Sequence, residues 1–318
     1  MALFNASVLI KELRTAQGLT QEQLAEGICS RQTITNIERG DRKPDWFTFK
    51  SLMLRLGQAP EKYHADITSG DDAYLIQKLN KCSEYLQVLN FEALKKEMDL
   101  LEMDEKFTGG KSGNLSLGRF LILRHKAGLH LDGPYKDVEL SLKCIMECLH
   151  NTRPNFDISE IPNYFLGPEE YPLINQLAIA YKELEGLPKA IEVWQLLKAN
   201  YEKHYAVNIH INTAYRDLCV NIALALKHSE RYEECLEIVE ENTKLALQHH
   251  DMRIYSRCLH QKAFGLMKLG REEEGKDVYK KFLMFAYVLD GYAAIDFAIV
   301  KKEYEDLFGG KLDLTAPW

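Results

Sequence analysis

The chain has 318 residues, of which 46% are hydrophobic and 27% charged, and its formal net charge is −7. This length suffices for two domains, and this composition supports a buried core and excludes an intrinsically disordered chain. Glycine and proline are sparse, which favours an all-α protein. No apolar run reaches the length of a membrane span and no signal peptide is visible, so we expect no membrane partner and a cytoplasmic location.

Capping residues predict four short helices in the first 60 residues. Ser, Thr and Asp side chains accept hydrogen bonds from the first amides of a helix, and glycine commonly ends one. Thr20, Ser30 and Asp45 stand at three such starts, Gln23 completes a capping box with Thr20, and Gly27 makes a sharp joint. We therefore expect helices over about residues 5–17, 21–26, 31–39 and 46–56, the first with Leu9, Leu13 and Ala16 on one face.

The third predicted helix separates into an apolar face and a polar face. Ile34 and Ile37 share one side of the helical wheel and are expected to point into the lobe. Amide side chains pair with adenine edges and arginine pairs with guanine edges in the major groove. The opposite side therefore predicts a recognition helix that reads bases through Gln32, Thr35, Asn36 and Arg39, with Arg31 at its flank.

Phosphate contacts are predicted around this helix. The first amides of the second and third helices, with the Gln21 and Ser30 side chains, are suited to bind phosphate. Arg42 and Lys43 continue the basic edge beyond Arg39. The alternative interpretation is an ordinary solvated helix face, which polar residues on one face alone would favour.

The whole run LTQEQLAEGICSRQTITNIERGDRKP resembles the helix-turn-helix of the Xre/Cro-repressor class. The resemblance covers about residues 5–58, and Arg14 in the first helix also fits it. It implies that the outward residues of the third helix read DNA. The matching residues are Leu19, Thr20, Gln21, Leu24, Ala25, Ser30, Ile34, Ile37, Glu38, Gly40 and Pro44.

Charge and composition divide the chain after this lobe. Residues 1–60 carry eight Lys/Arg and six Asp/Glu, whereas the remainder carries 32 and 41. A small basic lobe on a large acidic body is consistent with a DNA-binding module attached to a different one. We predict a DNA-binding domain over 1–66, including a short linker, and a repeat domain over 67–318.

Internal similarity predicts helical hairpins in the repeat domain. The segments QLAIAYKELEGLPKAIEVW, NIALALKHSERYEECLEIV and KAFGLMKLGREEEGKDVY each fit a helix, a polar turn and a second helix, with Ala190, Cys235 and Gly275 at one equivalent position. Weaker copies place Leu94 and Val138 there. About five degenerate tetratricopeptide-like hairpins would stack into a right-handed superhelix with a concave channel.

Amide residues recur fourteen residues before three of these small positions. Gln176, Asn221 and Gln261 match one another, Asn175 lies beside the first, and Asp217 and Arg257 lie one turn before the other two. An amide ladder of this kind could hold the backbone of an extended peptide, and an arginine could pair with a peptide carboxylate. The alternative is that the amides bridge neighbouring helices.

Signals for catalysis, cofactors and metals are missing from the sequence. Cys144 and Cys148 share a helix face without a partner pair, so packed thiols are the favoured interpretation. The stretch 109–113 (GGKSG) lacks the spacing of a nucleotide-binding loop and is read as a flexible loop. We expect no enzyme, no cofactor and no metal site.

The two halves together resemble the peptide-responsive regulators of the Rgg, PlcR and PrgX groups. This resemblance implies a cytoplasmic transcription factor that is dimeric through its repeats and binds a short signalling peptide. The peptide would alter affinity for a double-stranded DNA operator with two half-sites. The resemblance implies that the asparagine clamp of the family maps onto Asn221 and Asn175. The alternative is a repeat domain that docks a partner protein.

Overall fold

The computed structural model describes residues 5–63, 78, 80–86, 88–103, 117–153, 155–167, 169–205, 213–288 and 297–308. All regular elements within these ranges are helices, which confirms the predicted all-α fold. Two compact units make up the chain, Met1–Gly186 and Leu187–Trp318. The division into domains 1–66 and 67–318 stays a prediction.

The first unit begins with the four predicted short helices. Their order is α1 (Ala6–Ala16), α2 (Gln21–Ala25), α3 (Arg31–Arg39) and α4 (Trp46–Arg55). Caps fix these boundaries: the Thr20 and Gln23 capping box is present, and the Ser30 and Asp45 side chains accept from Thr33 N and Thr48 N. We call residues 5–56 the reading lobe.

Helix α1 packs on the lobe through only part of the apolar face predicted for it. Ala16 is exposed, and the buried residue of this helix is Ile10, with Leu9 and Leu13 packed beside it. Ala16 is the last residue of α1 and lies beyond the core, because Gln17 already leaves the helix.

The described residues that follow in the first unit form further helices that pack on one another. A helical segment at 80–86 precedes α5 (Phe91–Met103), followed by α6 (Leu117–Leu131), α7 (Val138–Thr152) and α8 (Glu170–Leu184). Short 3₁₀ helices occur at Pro60–Tyr63, Gly133–Tyr135 and Ile158–Asn163. Helix α6 packs against α5, α7 and α8, as stacked hairpins require.

The second unit contains α9 (Leu187–Tyr205), α10 (Thr213–His228), α11 (Tyr232–Gln248), α12 (Met252–Lys268), α13 (Glu272–Val288) and α14 (Phe297–Phe308). Each of these helices packs against the next, and α10 also packs against α12. Turns at 229–231 and 269–271 separate helices as the predicted pattern of helix, polar turn and second helix requires.

The equivalent small position is the fourth residue of each second helix, and one assignment to it is wrong. Leu94, Ala190 and Cys235 are fully buried there, as expected. In α7 the fourth residue is Ser141, which is buried and donates to the Ala127 carbonyl at 2.8 Å. Val138 is only half-buried, because the Asp137 cap makes it the first residue of the helix.

Gly275 occupies the same position in α13 and allows α12 to approach closely. A Cβ atom at this residue would lie 2.7 Å from Met267 Cγ, 3.0 Å from the Ala263 carbonyl oxygen and 3.2 Å from Met267 N. Two of these atoms belong to the backbone of α12 and cannot move independently. The helix pair therefore depends on a glycine.

Substitution of Gly275 by alanine is expected to destabilise the protein by about 1–3 kcal/mol. An exposed helix interior would instead gain about 1 kcal/mol from this change, so the sign of the effect tests the packing. Gly265→Ala is the matched control, because its Cβ would meet mainly the flexible Leu236 side chain at 3.1 Å. Urea unfolding measures both, and a stabilised Gly275→Ala protein would contradict the packing argument.

The remaining sequence features are the cysteines, membrane spans, metal sites and the glycine-rich stretch. Cys144 and Cys148 are both buried free thiols, in keeping with packed apolar groups. The described helices include none that is both long and apolar enough to cross a membrane. Within the same residues no group of His, Cys, Asp and Glu side chains is arranged to hold a metal. The stretch 109–113 lies outside the described residues.

Candidate DNA interface and candidate peptide site

The reading lobe presents α3 on a compact apolar core. Ile34 and Ile37 are completely buried with Ile10, Leu24 and Phe49, as the helical wheel predicted. Their side chains fix the rotation of α3, so its opposite face turns to solvent. This face is what the lobe offers to a ligand.

The outward face of α3 carries an ordered amide pair. Gln32 Nε2 donates to Asn36 Oδ1 at 2.9 Å, one helical turn away. Gln32 is exposed and Asn36 half-buried. Because the two amides already hold each other in place, less side-chain entropy is lost when they meet base edges.

Basic side chains surround the amide pair. Arg31 and Arg39 are exposed at the two ends of α3, and Arg42 and Lys43 are exposed just beyond it. Ser30 is exposed and caps α3 through Thr33 N at 3.1 Å. These positions suit phosphate contacts on either side of the amide pair.

Gln21 and Thr35 belong to a hydrogen-bond network behind the amide pair. Thr35 Oγ1 donates to Gln21 Oε1 at 2.9 Å, and Gln21 Nε2 donates to Glu38 Oε2 at 2.8 Å. Arg14 completes the network with Nε and Nη2 bonds to Glu38 at 2.6 and 3.0 Å and an Nη1 bond to the Leu19 carbonyl at 2.7 Å. Gln21 and Thr35, which the sequence predicts to contact DNA, therefore also stabilise the reading lobe.

Glu38 is the charged centre of this network. Its side chain is 4% exposed. Burial alone would raise the pKa of its carboxyl, but hydrogen bonds from Arg14 and Gln21 outweigh burial and hold the pKa below its usual value. The carboxylate is therefore ionised at neutral pH and ties α1 to α2 and α3.

Part of this surface forms a groove of about 520 Å³, which is lined by Lys11, Arg14, Gln21, Arg31, Gln32, Thr35, Glu38 and Arg39. Gln32, Thr35 and Arg39 form one wall, and Lys11 and Arg14 of α1 form the other. Lys11 is a basic residue that the sequence reasoning missed. Its signal was the spacing of three residues from Arg14, which places both on one side of α1.

In the first unit, the predicted peptide residues Asn175 and Gln176 lie in the middle of α8. Both are half-buried. Gln176 Nε2 lies close to α6, 3.3 Å from where a Gly128 Cβ would stand. Gln176 Oε1 is buried and accepts no hydrogen bond from the described residues. The absence of a side chain at Gly128 leaves room for this amide between the helices.

In the second unit, the predicted residues Asp217 and Arg257 lie in contact. Arg257 Nη1 donates to Asp217 Oδ1 at 3.3 Å. Arg253, which the sequence reasoning missed, makes the better bond to the same carboxylate, at 3.0 and 2.9 Å. Arg253 lies four residues before Arg257, so the spacing could have revealed it. One carboxylate thus faces two guanidinium groups, which leaves an excess of one positive charge.

The side chains of this cluster are accessible to solvent, so a bound ligand could reach their excess positive charge. The side chains of Asp217, Arg253 and Arg257 are 37%, 44% and 38% exposed. Burial lowers the pKa of the Arg257 guanidinium, and the Asp217 carboxylate offsets only part of that effect. Asn221 lies one turn beyond Asp217 on α10 and is half-buried. An added anion would relieve the uncompensated charge.

Gln261 occupies a different environment from Asn221. It is 3% exposed, and its Nε2 donates to the Val220 carbonyl at 3.3 Å, which joins α12 to α10. This is the helix-bridging role that the alternative interpretation predicted for the amides. Fourteen residues before Leu94 and Ser141 lie exposed Asn80 and buried Ala127. Because Ala127 has no amide side chain, the amide pattern is incomplete along the described repeats.

A four-helix lobe with an outward amide-rich third helix, attached to stacked hairpins, defines a helix-turn-helix DNA-binding protein with tetratricopeptide-like repeats. Residues 10–60 match the helix-turn-helix family model HTH_3, so this chain carries an Xre-type DNA-binding domain at its N-terminus. The matched domain points to a DNA-binding protein.

Two solved structures share this fold, one over nearly the whole chain and the other over about two thirds of it. PlcR of Bacillus thuringiensis, solved in complex with the peptide PapR7 and DNA, is 19% identical with a TM-score of 0.54, over 96% of this chain and 99% of PlcR. The second structure is a protein of Podosopora anserina that is assigned as a kinesin light chain and has nearly identical TPR-like repeats. It is 12% identical to this chain with a TM-score of 0.51, over 69% of this chain and 97% of that protein. No curated protein matches by sequence. The predicted resemblance to the PlcR group is thus confirmed at the level of the fold.

Proposed function

We propose that the chain is a transcription regulator that binds a two-half-site DNA operator as a homodimer and responds to a short signalling peptide. The DNA part is supported by one observation above all. Gln32 and Asn36 form an ordered pair on the outward face of α3, while Ile34 and Ile37 fix the opposite face in the core. Bases would be read by this pair, and the surrounding basic residues would bind phosphate.

Dimerisation follows from the small charge of one lobe. Residues 1–60 hold only two more basic than acidic residues, and phosphate neutralisation supplies most of the non-specific affinity for DNA. Two linked lobes on one operator would raise the affinity through effective concentration. Half-sites about 34–36 Å apart, or a multiple of this distance, would fit such a dimer.

The peptide part is supported by the Asp217, Arg253 and Arg257 cluster beside Asn221. Its excess positive charge suits a peptide carboxylate, and the Asn221 amide suits a peptide backbone group. PlcR, which shares this fold, was solved with a peptide and DNA together. A peptide that prefers one arrangement of the repeats would change operator affinity by the same factor as the operator changes peptide affinity.

The peptide site is tested with synthetic peptides encoded by short open reading frames that flank the gene. One of them is expected to stabilise the wild-type protein by about 2.7 kcal/mol at a hundredfold excess over its Kd. Asn221→Ala and Arg257→Met should each reduce this stabilisation strongly while operator binding without peptide remains. The thermal shift of each variant measures the effect.

The matched control is Gln248→Ala, which removes an exposed amide at the end of α11. Its thermal shift should equal that of the wild-type protein. An unchanged shift in Asn221→Ala and Arg257→Met would refute this site. A response to a large protein partner but to none of the peptides would favour the docking alternative.

A further inference from the structure

The turn between α2 and α3 rests on the connection between α7 and α8, within the first unit. The Gly27 carbonyl accepts a hydrogen bond from Phe165 N at 2.9 Å and another from Arg153 Nη1 at 2.7 Å. One carbonyl of the reading lobe is therefore held by two donors that lie more than 120 positions along the chain.

The fit at Gly27 is between two backbones. Gly27 has a φ of +68°, and a Cβ at this residue would stand 2.7 Å from Phe165 N and 2.8 Å from the Asn163 carbonyl oxygen. Neither atom can move without moving the connection itself. Gly27 is thus needed for the turn and also for the close approach of the lobe to the repeats.

Arg153 joins this contact to two repeat helices. It lies at the end of α7 and makes a bidentate pair with Glu170 at the start of α8, at 2.9 and 3.0 Å. Its Nη2 also donates to the Phe165 carbonyl at 2.8 Å, and its guanidinium lies 4.7 Å from the centre of the Tyr164 ring. One planar side chain therefore connects α7, α8 and the Gly27 carbonyl.

Glu170 is built to hold Arg153. It is 4% exposed, and it also accepts from Thr152 Oγ1 at 2.8 Å and Gly167 N at 2.7 Å. Both carboxylate oxygens are occupied, so the orientation of the guanidinium is fixed. A relative movement of α7 and α8 would separate these partners and change the position of Arg153.

Helix α4 makes a second set of contacts with the same region. Lys50 forms an ion pair with Glu169, and the Arg55 guanidinium lies 4.2 Å from the centre of the Phe165 ring. Phe47 packs on Phe120 of α6 with ring centres 4.4 Å apart. The lobe therefore touches the repeats at more than one point, which fixes its direction as well as its position.

The docked surface leaves the reading face uncovered. The contacts described above use the α2–α3 turn and α4, whereas Arg31, Gln32 and Arg39 remain exposed. Docking therefore orients α3 without blocking its access to DNA.

We propose that Arg153 is a positioning residue, which holds the reading lobe on the repeats through the Gly27 carbonyl and so sets the direction of α3. Shifts between α7 and α8 reach the lobe through this side chain. In a dimer, a fixed direction of both recognition helices restricts the distance between half-sites. Loss of the contact frees each lobe and relaxes that restriction.

The first test measures docking without DNA. Hydrogen exchange at the Phe165 amide should rise at least tenfold in full-length Arg153→Met and Gly27→Ala. The matched control for the glycine change is Gly18→Ala, since Gly18 has the same φ of +68° in the same lobe but nothing within 4 Å of its Cβ. Arg271→Met, which breaks an exposed ion pair with Glu274, is the control for the arginine change. Unchanged exchange in both docking variants would overturn the proposal.

The second test measures positioning on DNA and rests on the proposed operator binding. Arg153→Met should bind a duplex with one half-site within twofold of wild type. Its preference between two-half-site duplexes that differ by a few base pairs in spacing should fall at least tenfold. Increased exchange with an unchanged spacing preference would overturn the positioning role. If the wild-type protein selects no DNA sequence, the proposed function fails, while the exchange comparison still decides whether Arg153 docks the lobe.

Discussion

Replacing Gln32 and Asn36 together by alanine is expected to abolish sequence-specific DNA binding while the fold remains intact. Each bidentate amide contact to a base contributes about 1–3 kcal/mol of discrimination. Two lost contacts therefore reduce specific affinity by about 2–6 kcal/mol, or roughly 30-fold to more than 10,000-fold in Kd. The two side chains bond to each other, so removing both leaves no orphaned partner and changes stability little.

The measurement uses an operator selected from random duplexes by the wild-type protein. Specific and non-specific Kd values are then determined at several salt concentrations. Non-specific affinity and its salt dependence should not change, because every basic side chain is retained.

Lys43→Ala provides the contrast to the amide variant. This change removes an exposed charge beyond α3, so it should weaken binding to all sequences alike and reduce the salt slope by about one. If the double amide variant still discriminates between operator and random duplex as the wild type does, α3 does not read the bases through this pair.

Periodic features of the sequence predicted most of the fold. Helical spacing alone predicts that Ile34 and Ile37 are in the core, because residues three positions apart share one face of a helix. The hairpins were predicted from recurring small residues, since a second helix can approach the first only where its side chain is small. The error at Val138 arose where the turn is longer than in the other repeats. The 3₁₀ helix Gly133–Tyr135 and the Asp137 cap delay the start of α7.

Contacts between distant residues could not be predicted in this way. The hydrogen bond from Phe165 N to the Gly27 carbonyl joins two backbone groups, so no pattern of side chains in the sequence predicts it. Gln21 is a similar case, because its predicted phosphate contact follows from its place at a helix start, whereas its bonds to Glu38 and Thr35 depend on how α2 and α3 meet. The shared use of Asp217 by two arginines also becomes visible only when α10 and α12 are brought together.

The largest loss of stability in the reading lobe is expected from Arg14→Met. This change removes three hydrogen bonds of Arg14 and leaves the buried Glu38 carboxylate with Gln21 as its remaining described side-chain donor. Breaking a buried ion pair by removing one partner costs on the order of 3–5 kcal/mol. Arg231→Met, which breaks an exposed pair with Glu234, should cost at most about 1 kcal/mol. Thermal unfolding followed through the lobe measures both.

Two further results would identify Glu38 as the cause. In the double variant Arg14→Met with Glu38→Met, most of the lost stability should return, because no buried charge remains. In wild type, the lowered pKa of Glu38 gives stability above the unfolded value of about 4.3, and this stability is lost as pH falls through the folded pKa. In Arg14→Met, burial dominates and raises that pKa, so the stability difference from wild type should shrink as pH falls from 7 towards 4. A difference that does not depend on pH would mean that the loss comes from packing of the arginine stem and not from the unpaired carboxylate.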